Sequence, residues 1–197
     1  MTNLKYFISC SLLATVSSLN SLSFAAGYVA TNNSEEVTAK IYAISDKAEE
    51  SGKIEVGTIT FKNGADKDGL SIQTKLKLPN VKAGTYGFHI HNNDSCAPGL
   101  KDGKMTAGMA AGDHYDPKHT TKHLGPYSTN GHLGDLPLLV VDDKGEANNM
   151  LSAPNLKLSD IINHSVMIHA GSDNYSDEPA PLGGGGARKF CGVIKSN

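Results

Sequence analysis

The sequence predicts an all-β domain, a sandwich or barrel, from three observations. Apolar and polar residues alternate at period two through most of the chain after Val37, the spacing of half-buried strands. Turn clusters such as Ala83-Gly84-Thr85 and Asp142-Asp143-Lys144-Gly145 separate these runs. No long amphipathic helical period competes with them; Leu156 to Ile162 holds one turn.

The runs give eight strands. Val37, Ala39, Ile41 and Ala43 alternate with Thr38, Lys40 and Tyr42. Ile54 to Phe61 forms the second strand, with Gly57 a bulge site. Leu70 to Leu78 places Leu70, Ile72, Thr74, Leu76 and Leu78 on one face and Ser71, Gln73, Lys75 and Lys77 on the other. Tyr86 to His91, Leu138 to Val141, Ala147 to Leu151, Ser165 to His169 and Phe190 to Ile194 complete the set. The two long connections, 92–137 and 170–189, are longer than a compact domain needs. Connections of that kind carry function or draw their order from elsewhere.

Ahead of the strands, residues 1–25 read as a cleaved signal peptide. Lys5 supplies a positive start, Tyr6 to Val16 is mostly apolar, and Ser23-Phe24-Ala25 offers a small-residue cleavage site. That apolar stretch is far short of the ~20 residues a membrane span needs, so no membrane insertion is expected after cleavage. Residues 26–36 read as a flexible leader and 37–197 as one domain. The whole chain has 18 basic against 20 acidic side chains, a balance that argues against nucleic acid. Export points to an oxidising compartment. With Cys10 in the signal, Cys96 and Cys191 most simply form one disulfide.

The chemistry lies in His89, His91, His114, His123, His132, Asp135 and His169. His89 and His91 sit two apart on one strand, so both imidazoles share a face and can grip one ion. Six histidines and one aspartate suffice for two adjacent metals, one nitrogen-rich and one with an oxygen ligand. His119 and His164 read as ordinary surface or loop residues, although His119 lies between two candidate ligands. Met105 and Met109 read as loop packing rather than thioether ligands.

Gly87-Phe-His-Ile-His91, Gly131-His-Leu-Gly-Asp135 and Gly183-Gly-Gly-Gly-Ala-Arg-Lys-Phe-Cys-Gly-Val-Ile194, in this order, resemble the signatures of copper/zinc superoxide dismutases in their exported bacterial form. The resemblance runs from about residue 37 to the C-terminus. It implies an eight-stranded Greek-key, immunoglobulin-like sandwich or flattened barrel with two long functional loops. It implies one copper, bound by His89, His91, His114 and His169, and one zinc, bound by His114, His123, His132 and Asp135. The His114 imidazolate would bridge them and act in catalysis. Asp173 resembles the family's aspartate that joins a copper histidine to a zinc histidine, with Asp177 its competitor. Arg188 resembles the anion-guiding arginine. Gly183 to Gly186 reads as tight backbone beside the channel.

The implied activity is disproportionation of superoxide to dioxygen and hydrogen peroxide, protecting the cell envelope. Superoxide is the partner, and the chain acts as a monomer or homodimer. The steering lysines stay open among Lys101, Lys104, Lys118 and Lys122. The competing reading is a non-catalytic periplasmic copper/zinc-binding or copper-delivery protein. Relatives of that kind lack some copper ligands or the arginine, and this chain carries all of them. A zinc hydrolase would need an open coordination position, which four protein ligands per site do not leave.

Overall fold

The computed structural model describes Met1, residues 36–64 and residues 69–196. The described residues from Glu36 onward belong to one compact unit. The expected signal peptide and leader lie outside the described residues, save Met1 and Glu36, and Glu36 opens the first strand.

Among the described residues the strands are β1 (Glu36–Ala43), β2 (Glu55–Asn63), β3 (Leu70–Lys77), β4 (Gly84–Tyr86), β5 (Phe88–His91), β6 (Gly99–Lys101), β7 (Lys104–Thr106), β8 (Leu139–Val141), β9 (Glu146–Ala147), β10 (Met150–Ala153), β11 (His164–His169) and β12 (Arg188–Ile194). One helical turn, α1 (Leu158–Ile161), lies between β10 and β11, where the sequence allows one.

An eight-stranded antiparallel sheet runs β10-β3-β2-β1-β12-β11-β5, with β9 also on β3. Its two ends are joined by a smaller pair, β4 with β8, because β4 runs on into β5 and β8 leads into β9 and β10. The result is a curled, flattened barrel of the expected all-β class. Its interior holds the alternate residues read from the sequence, among them Val37, Ile41, Ile59, Phe61, Ile72, Leu76, Phe88 and Ile90. Thr74 is the polar member of that inner row. Its hydroxyl donates to Ala147 O at 2.8 Å and accepts from Asn149 N at 2.9 Å, so its burial leaves nothing unpaired.

The bulge expected at Gly57 is present, and two expected strands differ. The bulge falls beside Gly57, where Ile41 pairs Gly57 but Tyr42 pairs Glu55 and leaves Val56 extra. The Tyr86–His91 run splits at Gly87, whose N–H donates to Gly171 O at 2.8 Å and whose carbonyl accepts from His169 N at 2.9 Å. Tyr86 therefore pairs with β8, whereas Phe88 to His91 pair with β11. The Ala147–Leu151 run also breaks in two. Asn149 turns its side chain onto β8, accepting from Val140 N at 2.7 Å and donating to Val140 O at 3.0 Å. An amide side chain thus replaces the backbone ladder there.

The connection 92–137 is not structureless. It contains the β6–β7 hairpin and a single-turn helix, Met109–Ala111. The Cys96–Cys191 disulfide ties it to β12, and Ala111 packs with Met167 and Cys191 as a second small core. Met109 is half-buried in this region. Met105 is exposed, so the expected packing role does not hold for it; its hairpin partner Leu100 is exposed too.

Candidate metal centre

Strand β5 is buried along its whole length. Its alternation sends Phe88 and Ile90 into the core and leaves His89 and His91 on the opposite face. Register then assembles the site. On one edge, Ser165 pairs with His91 and Met167 with His89, which brings His169 to the same end. On the other edge, short loop bridges set His114 against His91 and Asp135 against His89. Ile90 N donates to Gly134 O at 2.8 Å, and Tyr115 N donates to Ile90 O at 2.9 Å, so the long loop is laid along β5 by its backbone.

His89, His91, His114 and His169 offer ligand atoms within 4.8 Å of one another. Ring centroids of His114 lie 4.0 Å from His89 and 5.0 Å from His91 on one side, and 5.4 Å from His123 and 5.3 Å from His132 on the other. Asp135 Oδ1 gathers the second side. It lies 3.2, 3.1 and 3.5 Å from Nδ1 of His114, His123 and His132. Four ligands on a tetrahedron with bonds of ~2.0–2.1 Å sit roughly 3.3–3.4 Å apart, so these spacings fit one zinc-sized ion. By distance alone, His89, His114, His123 and Asp135 also form a compact set.

The ring nitrogens sort cleanly. Asp173 Oδ2 lies 2.7 Å from His89 Nε2 and its Oδ1 lies 2.8 Å from His123 Nε2. Gly112 O lies 2.9 Å from His91 Nδ1, and Gly186 O lies 3.2 Å from His169 Nδ1. Each acceptor fixes the proton on the nitrogen that faces it. Among the described residues the nitrogens opposite these, His89 Nδ1, His91 Nε2, His123 Nδ1 and His169 Nε2, are buried with no hydrogen-bond partner, as are His114 Nε2 and His132 Nδ1. A buried donor or acceptor of this kind costs free energy unless something occupies it. Their convergence fits the two metals that the donor set suits.

Electrostatics divide the site in the same way. Burial pushes His89 and His91 well below the ordinary imidazole value, aided by neighbouring His114. Burial also lowers His114, and it lowers His169 to about 4. At His123 burial again works downward, but the Asp135 and Asp173 carboxylates beside the ring outweigh it and raise the group to about 9. Burial works against the Asp135 carboxylate, yet its three histidine partners hold it well below the usual range.

Arg188 is half-buried at the start of β12. It donates from Nη1 to Gly108 O and from Nη2 to Gly112 O, both at 2.7 Å. Lys104 and Lys189 share a cavity of about 390 Å³ with it; Lys101, Lys118 and Lys122 do not line that space. A larger cavity of about 490 Å³ touches the cluster only through His169, and apolar residues, among them Ile44, Ile54, Val81 and Phe190, line most of the rest.

Asp173 reaches the ring nitrogens, whereas Asp177 accepts from the backbone N–H groups of His123 and Leu182 and shapes the loop. His119 is exposed in a turn and belongs to neither cluster. His164 differs from its expected surface role: it is half-buried in β11 and packs 4.3 Å from Tyr115 with the rings tilted by 44°, its Nδ1 2.7 Å from Asn92 O. The carbonyls of Gly108, Gly112 and Gly186 are the functional groups that the sequence hides, since a backbone acceptor has no letter of its own.

Residues 55–194 match the family model for copper/zinc superoxide dismutase. A Superoxide dismutase [Cu-Zn] of Pasteurella multocida is 52% identical over 145 residues, covering 73% of this chain and 76% of its own. One from Brucella abortus is 46% identical over 162 residues, covering 82% and 89%. The solved structure of a Cu/Zn superoxide dismutase from Brucella abortus superposes with a TM-score of 0.76 at 45% identity, covering 82% of this chain and all of that one. The solution structure of a monomeric enzyme from Salmonella enterica gives 0.69 at 43% identity, covering 81% and 99%.

Proposed function

From the premise that the chain belongs to the copper/zinc superoxide dismutase family, we propose how its residues share the work. The reaction takes two superoxide anions and two protons to dioxygen and hydrogen peroxide, with copper and zinc as cofactors. Copper is assigned to His89 Nδ1 and to Nε2 of His91, His114 and His169. Zinc is assigned to Nδ1 of His114, His123 and His132 and to an oxygen of Asp135. The observation that carries this assignment is the sorting of the imidazole nitrogens: all those assigned, save His114 Nδ1 beside Asp135 Oδ1, are buried without a hydrogen-bond partner. His89 has one such nitrogen and can serve one ion; His132, 3.5 Å from Asp135 Oδ1, completes the other set.

Bound copper supplies one-electron oxidation and reduction, while zinc supplies a redox-silent charge. The remaining work belongs to the chain. Arg188 stays cationic and draws the anion toward His91 and His169. His114 Nε2, whenever it is not serving as a copper ligand, would take up a proton and hand it to the reduced product. Asp173 orients His89 and His123 together, so both halves keep one geometry. The buried walls keep bulk water from the histidines, which strengthens every charge interaction inside.

The disulfide supports residence in the oxidising periplasm, where the enzyme would protect the cell envelope. A copper-delivery role is not favoured, because His89, His91 and His123 are fully buried, as resident ligands are. The test is dismutation by the copper- and zinc-loaded protein beside His89→Ala. Loss of at least ~100-fold is expected; a variant as active as the parent overturns the copper assignment.

A further inference from the structure

We infer that Gly183 is a positioning residue of the zinc half of the site, its backbone roofing the Asp173 carboxylate and holding it on both histidines. This rests on the ligand assignment proposed above. Gly183 is buried at φ +70, inside the turn Leu182–Gly184. Its N–H donates to Ser176 O at 2.9 Å, and its carbonyl accepts from Asn174 N at 3.1 Å, so the loop pins it from two sides. A Cβ at this position would fall on Oδ1 and Cγ of Asp173 and within 2.8 Å of His123 Nε2.

The carboxylate has nowhere to retreat. Oδ1 already accepts from Tyr175 N at 2.7 Å and faces His123 Nε2 at 2.8 Å, while Oδ2 faces His89 Nε2 at 2.7 Å. Any shift that admits a methyl group breaks one of these bonds. Gly184 supplies the contrast. Its φ of +77 makes the same backbone demand, yet a Cβ there meets only Ala180 Cβ, at 3.7 Å. Glycine at 184 answers to conformation alone; glycine at 183 answers to conformation and to the carboxylate beneath it.

Gly183→Ala and Gly184→Ala form a pair matched in backbone strain. Both are read by zinc affinity of the disulfide-intact protein, from chelator competition, and by the visible spectrum of cobalt(II) in the zinc position. We expect Gly183→Ala to weaken zinc roughly ten- to hundred-fold and to shift the cobalt bands, as losing an orienting carboxylate does. Gly184→Ala should stay within about two-fold. In an Asp173→Ala background only the 2.8 Å approach to His123 Nε2 remains, and the further cost of Gly183→Ala should shrink markedly.

Equal losses from the two alanines, or an undiminished loss in the Asp173→Ala background, overturn the inference. Should Gly183→Ala alone fail to fold, rescue of folding in the double variant supports it and failure of the double variant overturns it. Asp135→Ala separates the two levels. Unchanged zinc affinity there removes the ligand assignment itself, whatever the glycines do.

Discussion

His91 and Arg188 share one oxygen: Gly112 O lies 2.9 Å from His91 Nδ1 and accepts from Arg188 Nη2 at 2.7 Å. The two contacts fill both lone pairs of that carbonyl. The proton on His91 is thereby fixed at Nδ1, and the guanidinium is fixed beside it. A lysine at 188 carries the charge but cannot reach two carbonyls as a planar fork. Arg188→Ala should lower kcat/KM by roughly ten-fold or more and flatten its dependence on salt. Arg188→Lys should retain part of the rate. Steady-state dismutation across ionic strength checks both, and a salt profile in Arg188→Ala equal to the parent's would remove the guiding role.

Asp173 joins the two halves of the site through His89 and His123. Asp173→Asn keeps the volume and loses the charge, and it can accept from one ring while turning a donor toward the other. Zinc affinity should fall by roughly ten- to hundred-fold. The copper spectrum should change too, because His89 loses a partner along with His123. Zinc competition and copper EPR on the same sample give the answer; a change confined to one metal would contradict a joint role.

Strands such as β1 and β3 were legible because one face is buried and the other open, and alternation then has only one solution. The His89–His91 pair was legible from the same period of two. What escaped the sequence was set by atoms outside the pattern. Gly87 splits a run that reads as continuous, since its backbone bonds to Gly171 and His169 instead of β8. Asn149 breaks another through an amide that binds Val140 across a strand gap. Among the histidines, His119 and His123 look alike in sequence. Family resemblance alone separates them there; the folded loop adds that one is exposed and the other enclosed between Asp135 and Asp173.

Protons should compete unequally for the two metals. In the metal-free protein His123 titrates at about 9, because its carboxylate partners outweigh burial, so zinc must displace a proton at any pH below that value. Zinc affinity should therefore rise with pH up to about 9, by about ten-fold per unit. His169 is lowered to about 4, chiefly by burial, and stays neutral above it. Acidifying from pH 7 to 5 should weaken zinc about a hundred-fold at His123 and leave proton competition at His169 nearly unchanged. Competitive titration of each metal at several pH values measures the two slopes, and equal slopes would refute the division.

The Cys96–Cys191 bridge closes a separation of 95 residues. In the chain-entropy model a loop of this length contributes roughly 4–5 kcal/mol. For a domain of this size each kcal/mol shifts Tm by about 2–4 °C, so Cys96→Ser with Cys191→Ser should melt roughly 10–20 °C lower. The bridge also ties the Gly108 and Gly112 loop to β12, which carries Arg188. Activity per bound copper should therefore fall as well, and calorimetry beside activity normalised to copper separates the two effects.

His119→Ala should leave copper and zinc content unchanged, since His119 lies in neither cluster. Metal analysis of the purified variant decides it. A lost equivalent of either ion would make His119 a ligand.

Strand β5 sends Phe88 and Ile90 one way and His89 and His91 the other. A slip of one residue in its pairing with β11 would put both imidazoles in the oil of the barrel and both apolar side chains where the ions belong. A misregistered chain therefore cannot capture its metals, and a correctly registered one gains their binding energy on top of its own. Metal capture acts as proofreading: the ions reward only the alignment that also fills the core.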